Sequence, residues 1–584
     1  MTEHATRPPA PPIRWAETIT PGPLRDPDTV MRLRRLGSLH PSRLSFVRSL
    51  VRLMGREQWT IACQRFDVGG NETGEAVYTV DTPAGRYSFV VFSQELDETH
   101  RSDRVIADRW DYTFALTEGE PDEADMARLR ANVPKQEAGR VSTRELVLSR
   151  GNKSVRLFDY IVRELSDGRQ PSADEIAKVG YLMRTTAVYG NGKFGLADYE
   201  RLRTRTPFIQ PFCAQMLTVY MARLFSLDLV DHLARLRGGD AATTLAPERR
   251  RTLGVGNATG LGMAPFIASH PALMNAWISA RETALARVKG VESASRVRLS
   301  KFERLFERSI LHVGQWQTGD DLQNAAIAVC RRELEELRGE LFPASGDSLL
   351  AGLDPWQRLA DMAAARFSLE TQELLNSLML EPYPDLVDDL EGAMAAEEER
   401  RVQAAMPLAD FKALIESRYD WALNLDPDDP ETAHFFWYRS TDKEEPRLGV
   451  RGSDPGDDRE MGIGIGHAVA QLYREIANLD AAEMTQPVGG FVLRHPEHRA
   501  LIARIQSLAD KPYAEVRDNL LAENMRPVDL LRFKLSFFGA VRFDPKSDQW
   551  TRITLFSGAP LPTDFADPRI DCDDFFAPVL PREA

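Results

Sequence analysis

Residues 252–266, TLGVGNATGLGMAPF, carry four glycines (Gly254, Gly256, Gly260 and Gly262) and lead through Pro265 into an apolar helical pattern. Glycine buries no side chain and loses more backbone freedom on folding than any other residue, so core packing does not account for such a run. The backbone there has to be bare for another reason: a sharp turn, a close helix crossing or a bound small molecule. The spacing superficially resembles a dinucleotide-binding fingerprint, whose glycines let backbone N–H groups approach a pyrophosphate. Its context differs, because Arg249, Arg250 and Arg251 precede it rather than a buried strand, and no βαβ unit is legible after it. Two further readings stand beside it. One is a tight interhelix crossing with Pro265 at a helix start; the other is a pocket-lining loop in which Asn257 and Thr259 supply hydrogen bonds.

The 584 residues are 43% hydrophobic and 27% charged, an ordinary globular balance long enough for several structural units. A net charge of −14 works against nonspecific attraction to nucleic acid or an anionic membrane, so neither is expected as a partner. Self-association stays open. Cys63, Cys213, Cys330 and Cys572 lie far apart with no CxxC pair, which suits a reducing cytoplasm and gives no zinc motif. No metal and no organic cofactor is expected. The most apolar stretch, Pro211 to Val230, is interrupted by Gln215, Arg223 and Asp228 and reads as a buried helix rather than a membrane span.

Period and turn chemistry divide the chain into four regions: a proline-rich arm at 1–30, an α+β unit at 31–140, a helical body at 141–425 and an α+β region at 426–584 packed on that body. Trp59–Phe66, Glu75–Asp81 and Arg86–Ser93 read as an antiparallel meander. Ser142–Glu145 and Ser172–Glu175 have the spacing of capped helix starts, and the second helix is expected to end near Gly190. The chain closes with a hairpin across Asp544–Asp548. The expected fold is mainly α with an α+β portion: an irregular multi-helix body plus a small antiparallel sheet of N-terminal strands, which the C-terminal hairpin can complete.

Four further runs are candidates for chemistry. Arg184, Thr185, Asn191 and Lys193 converge on a glycine-rich turn with the composition of a carboxylate or phosphate site, although pairing with surface carboxylates would also explain them. His434, Tyr438 and Arg439 lie in an aromatic strand, where they offer acid, base and anion-binding groups or simply edge a core. His467 follows Met461-Gly-Ile-Gly-Ile-Gly at a helix start, which favours its neutral form, the form a general base needs. His495 and His498, spaced as HPEH, read as cap-side residues rather than ligands.

If the glycine-bearing segments 180–195, 252–266 and 449–467 share one pocket, Arg184, Thr185, Asn191, Lys193, Asn257, Thr259 and Arg439 bind an anion there. His467, Tyr438 or His434 then moves a proton. The resulting expectation is a soluble cytoplasmic enzyme, a lyase or hydrolase, acting on a small carboxylated metabolite that an aromatic ring would suit. The alternatives are a noncatalytic helical scaffold, or a nucleotide- or flavin-dependent oxidoreductase using 252–266.

Overall fold

The computed structural model describes residues 19–93, 110–134, 142–185, 202, 204–260, 271–314, 316, 321–394, 402–424, 437–440, 446–448, 460–463, 465–502, 505, 512–513, 527–547 and 550–567. Its strands are β1 Thr60–Val68, β2 Gly74–Thr82, β3 Gly85–Ser93, β4 Tyr112–Glu118, β5 Glu145–Lys153, β6 Tyr181–Thr185, β7 Gly254–Gly260, β8 Trp437–Ser440, β9 Pro446–Leu448, β10 Glu460–Ile463, β11 Arg542–Ser547 and β12 Trp550–Leu555. Nine form one curled sheet in the order β1-β2-β3-β4-β5-β6-β7-β12-β11, and the other three form a separate sheet, β10-β8-β9. Every pairing in the large sheet is antiparallel except β6 with β7.

This overturns the expected fold class. The sheet is neither small nor antiparallel throughout; the molecule is α+β, a large mixed sheet joined to a helical half. The causes are local. Helix α1 (Phe46–Arg56) and helix α2 (Glu123–Asn132) flank strands, whereas Ser142–Glu145 is no helix start: the Ser142 N–H donates to the Glu145 carboxylate and the chain enters β5. After α3 (Leu157–Ser166), helix α4 spans only Ala173–Val179, because Gly180 takes the left-handed conformation (φ 80°) and caps it. The buried run Tyr181–Thr185 then pairs as β6.

The crossover from β6 to β7 contains α5 (Cys213–Gly238) and the short α6 (Pro247–Thr252). Among the described residues α5 is the helix long and apolar enough to cross a membrane, yet 94% of its most apolar window is buried inside the protein. It is the core helix on which the sheet curls: Phe225 packs against Phe66, Tyr112 and Phe114. Arg223, fully buried, donates to the carbonyls of Leu253 (2.7 Å), Ala559 (3.0 Å) and Arg251 (3.1 Å). Burial pushes its pKa down to about 10, and the carbonyl cage replaces the water it has lost.

The helical half comprises α7 (Pro271–Lys289), α8 (Arg296–Gly314), α9 (Asp321–Leu341), α10 (Pro355–Arg366) and α11 (Leu369–Leu380). Buried ion pairs tie the N-terminal segment to it. Arg25 spans Glu282 and Glu373 at 2.7 Å each, Arg281 reaches Glu373 at 2.9 Å, and Arg48 pairs with Glu381. A second core, separate from the main one, gathers α12 (Leu408–Arg418), α13 (Ile465–Ala477) and α14 (Val488–Arg494) around Phe411, Ile415, Leu472 and Phe491. The last helix, α15 (Pro527–Phe538), packs against α1, β11 and β12.

Candidate functional site

The glycine-rich run is a strand, and local packing explains two of its glycines. A Cβ on Gly254 would lie 2.3 Å from the Leu555 carbonyl oxygen, and one on Gly256 would lie 2.8 Å from the Tyr181 ring. The bare backbone lets β12 approach on one side and seats an aromatic ring from β6. That replaces both the helix-crossing and the loop readings of 254–260.

Sheet pairing nevertheless unites part of the expected anion site. Arg184 on β6 stands opposite Asn152 and Gly256, and Asn257 Nδ2 donates to the Thr185 carbonyl (3.0 Å). The Thr185 and Ser149 hydroxyls are hydrogen-bonded at 2.7 Å. Asn152 Oδ1 accepts from the Asp111 N–H at 2.9 Å, and an Asp111 carboxylate oxygen accepts from the Lys153 N–H at 2.8 Å. Arg184, Thr185, Asn257, Ser149 and Asn152 are all buried. Thr259 lies two residues further along β7, paired with Thr551.

The remaining expected residues fall elsewhere. Tyr438 and Arg439 are on β8 of the small sheet, and His467 is in the first turn of α13, which belongs to the second core. Asn191, Lys193 and His434 lie outside the described residues. His498 pairs with Glu475 at 2.6 Å, and His495 stacks on Phe491. Among the described residues no group of His, Cys, Asp or Glu is placed to hold a metal.

Topology adds residues that the spacing did not reveal. β6 and β7 are parallel, so α5 runs back across them and begins near their carboxyl ends, where such sheets hold ligands and where a helix start favours anions. Gln215 is the third residue of α5. From Arg223, anchored at Leu253, eight helical residues climb about 12 Å to Gln215. From Leu253, four strand residues climb about 13 Å to Asn257. The two amides thus lie on elements that pack against each other.

Gln215 is 1% exposed and Asn257 2%. Among the described residues neither Gln215 amide atom has a hydrogen-bond partner, nor does Asn257 Oδ1. A buried polar group left so costs about 1–3 kcal/mol, so this corner of the core holds unspent hydrogen-bonding capacity. Two donors, two acceptors and a helix start suit a small ligand carrying a carboxylate. The signal for Gln215 was in the sequence, as a polar break in an apolar helix. Comparison with protein-family models, with curated proteins and with solved structures gives no match to this chain.

Proposed function

We propose that the chain is a cytoplasmic protein that binds a small carboxylated metabolite at the carboxyl ends of β6 and β7. The carboxylate sits against the first turn of α5 and Gln215, while Asn257 Oδ1 accepts a hydrogen bond from the rest of the ligand. The observation that carries this reading is a pair of buried amides in which, among the described residues, Gln215 has no hydrogen-bond partner and Asn257 leaves its Oδ1 without one. The lyase or hydrolase chemistry expected from the sequence is its second half and requires a proton-transfer group at that site. Tyr438 and His467 belong to a different sheet and core, so they carry no part of the binding proposal.

The test is a thermal-shift series with mono- and dicarboxylates, aromatic acids, phosphates and nucleotides, because a ligand that binds only the folded state raises its apparent stability. Carboxylates should raise the midpoint of the wild type, and Gln215→Met and Asn257→Leu should abolish the shift while the proteins stay folded. A shift from nucleotides alone would favour the oxidoreductase alternative. No carboxylate shift, or one untouched by both substitutions, would refute the reading.

A further inference from the structure

Residues 19–26 run alongside α7 and touch it once per turn. The Thr20 N–H donates to the Gly290 carbonyl at 3.1 Å, and the Gly22 N–H to the Ala286 carbonyl at 3.4 Å. One turn further back, the Arg25 guanidinium meets the Glu282 carboxylate. Glu282, Ala286 and Gly290 are spaced by four residues, so they form one stripe of the helix, which the Gly290 N–H continues by donating to Ala286. The lengths agree. Eight helical residues rise about 12 Å, and the five residues from Thr20 to Arg25 reach about 15 Å at the spacing that prolines favour.

The segment itself buries little. Ile19, Thr20, Pro21, Pro23, Leu24 and Asp26 are exposed, and Pro21 and Pro23 have no N–H to donate. Its hold is concentrated at Arg25. The guanidinium makes two bonds of 2.7 Å to Glu282 and one of 2.7 Å to Glu373 on α11, and both carboxylates are fully buried. The Tyr513 hydroxyl donates to the Arg25 carbonyl at 2.8 Å. At the other end, seating depends on Gly290, where a Cβ would lie 2.1 Å from the Thr20 carbonyl oxygen. The helical half carries a cation of its own for these acids: Arg281 reaches Glu373 at 2.9 Å and Glu282 at 3.4 Å. Departure of Arg25 therefore leaves neither carboxylate bare.

We propose that residues 19–26 are a strap that opens and closes as one unit on a folded helical half, with Arg25 as its latch. Bonds between a guanidinium and buried carboxylates are charge-assisted and two-pronged, which makes the closed strap the ground state. The thin apolar contact and the two missing donors place the segment at the low end of local stability, so it opens without unfolding α7. Prolines keep the free segment extended, so reclosing orders few backbone dihedrals. Closed, the strap seals the α7 stripe and the acids beneath it; open, it admits water to Glu282 and Glu373. The device uses none of the residues of the carboxylate site and stands independently of that reading.

The test is native-state hydrogen exchange on the full chain, read by mass spectrometry of fragments across urea concentrations below the unfolding transition. In the wild type, the Thr20 and Gly22 amides should share one rate, at least about tenfold faster than amides in the middle of α7, with little dependence on urea. Gly290→Ala pushes a methyl group into the strap without touching a charge, and should speed both amides by about tenfold. Arg25→Lys keeps the charge but loses the fork, and should also speed both by about tenfold. The α7 amides should keep their wild-type rates in Gly290→Ala. Strap amides that exchange only together with α7, and with its urea dependence, overturn the strap, because the segment then opens only by unfolding. This arm needs no variant, so it decides even if a substitution disturbs folding. Unchanged rates in Arg25→Lys overturn the latch, and a Gly290→Ala that speeds Thr20 while leaving Gly22 untouched overturns the single unit.

Discussion

Replacing Lys534 by methionine keeps the unbranched stem and removes the amine, and the consequence for stability depends on pH. An ordinary lysine titrates at 10.5, whereas burial pushes the Lys534 amine down to about 7. Between these values the unfolded chain holds a proton that the folded chain has released, so stability rises as pH increases. At about 1.4 kcal/mol per pH unit, the buried amine costs the native state about 5 kcal/mol below pH 7, and about 2–3 kcal/mol of that is recovered by about pH 9. Lys534→Met carries no such dependence. It should exceed the wild type by a few kcal/mol at neutral pH, with the gap narrowing by about 2–3 kcal/mol at about pH 9. The assay is urea unfolding followed by circular dichroism at several pH values. Comparing the two proteins at each pH cancels groups common to both, such as Cys213 and Cys330, whose thiols burial pushes up to about 12. A gap that stays constant within about 0.5 kcal/mol from neutral to alkaline pH would show that Lys534 is charged in the fold, and the neutral-amine argument would be refuted.

Other perturbations test the frame around the site. Gly256→Ala should cost about 1–3 kcal/mol by driving a methyl group into the Tyr181 ring, and much less in a Tyr181→Ala background; equal costs in a double-mutant cycle would remove the steric explanation. Arg223→Met strips hydrogen bonds from carbonyls at the start of β7 and in the segment after β12, with an expected loss of about 3 kcal/mol or more in chemical denaturation; an unchanged midpoint would mean that other donors satisfy them. Glu373, despite a burial that opposes ionisation, is held at about 2 by Arg25 and Arg281 instead of its usual 4.5. Its contribution is complete above pH 4.5 and fades as the pH falls toward 2. Glu373→Gln should therefore cost about 3–5 kcal/mol at neutral pH and flatten acid unfolding across that window, and an unaltered acid limb would contradict the assignment.

Elements with a strong period were legible in the chain. The meander near residues 60–93 and the apolar helix beginning near 213 coincide with observed elements, because alternation and helical spacing report which face is buried. What escaped were strands whose identity comes from their neighbours. Tyr181–Thr185 is five residues behind a helix and becomes a strand only because β5 and β7 flank it. Gly254–Gly260 has almost no β propensity and is held by pairing on both sides. Missing these two strands hid the parallel pair, and with it the reason why α5 begins at the candidate site. Arg184, Thr185 and Asn257 were singled out by composition, whereas Gln215 read only as an interruption of an apolar run. Its significance comes from burial, which one-dimensional spacing does not reveal. The aromatic run near Tyr438 and the glycine–isoleucine run before His467 do share a sheet, but it is not the sheet that holds Arg184.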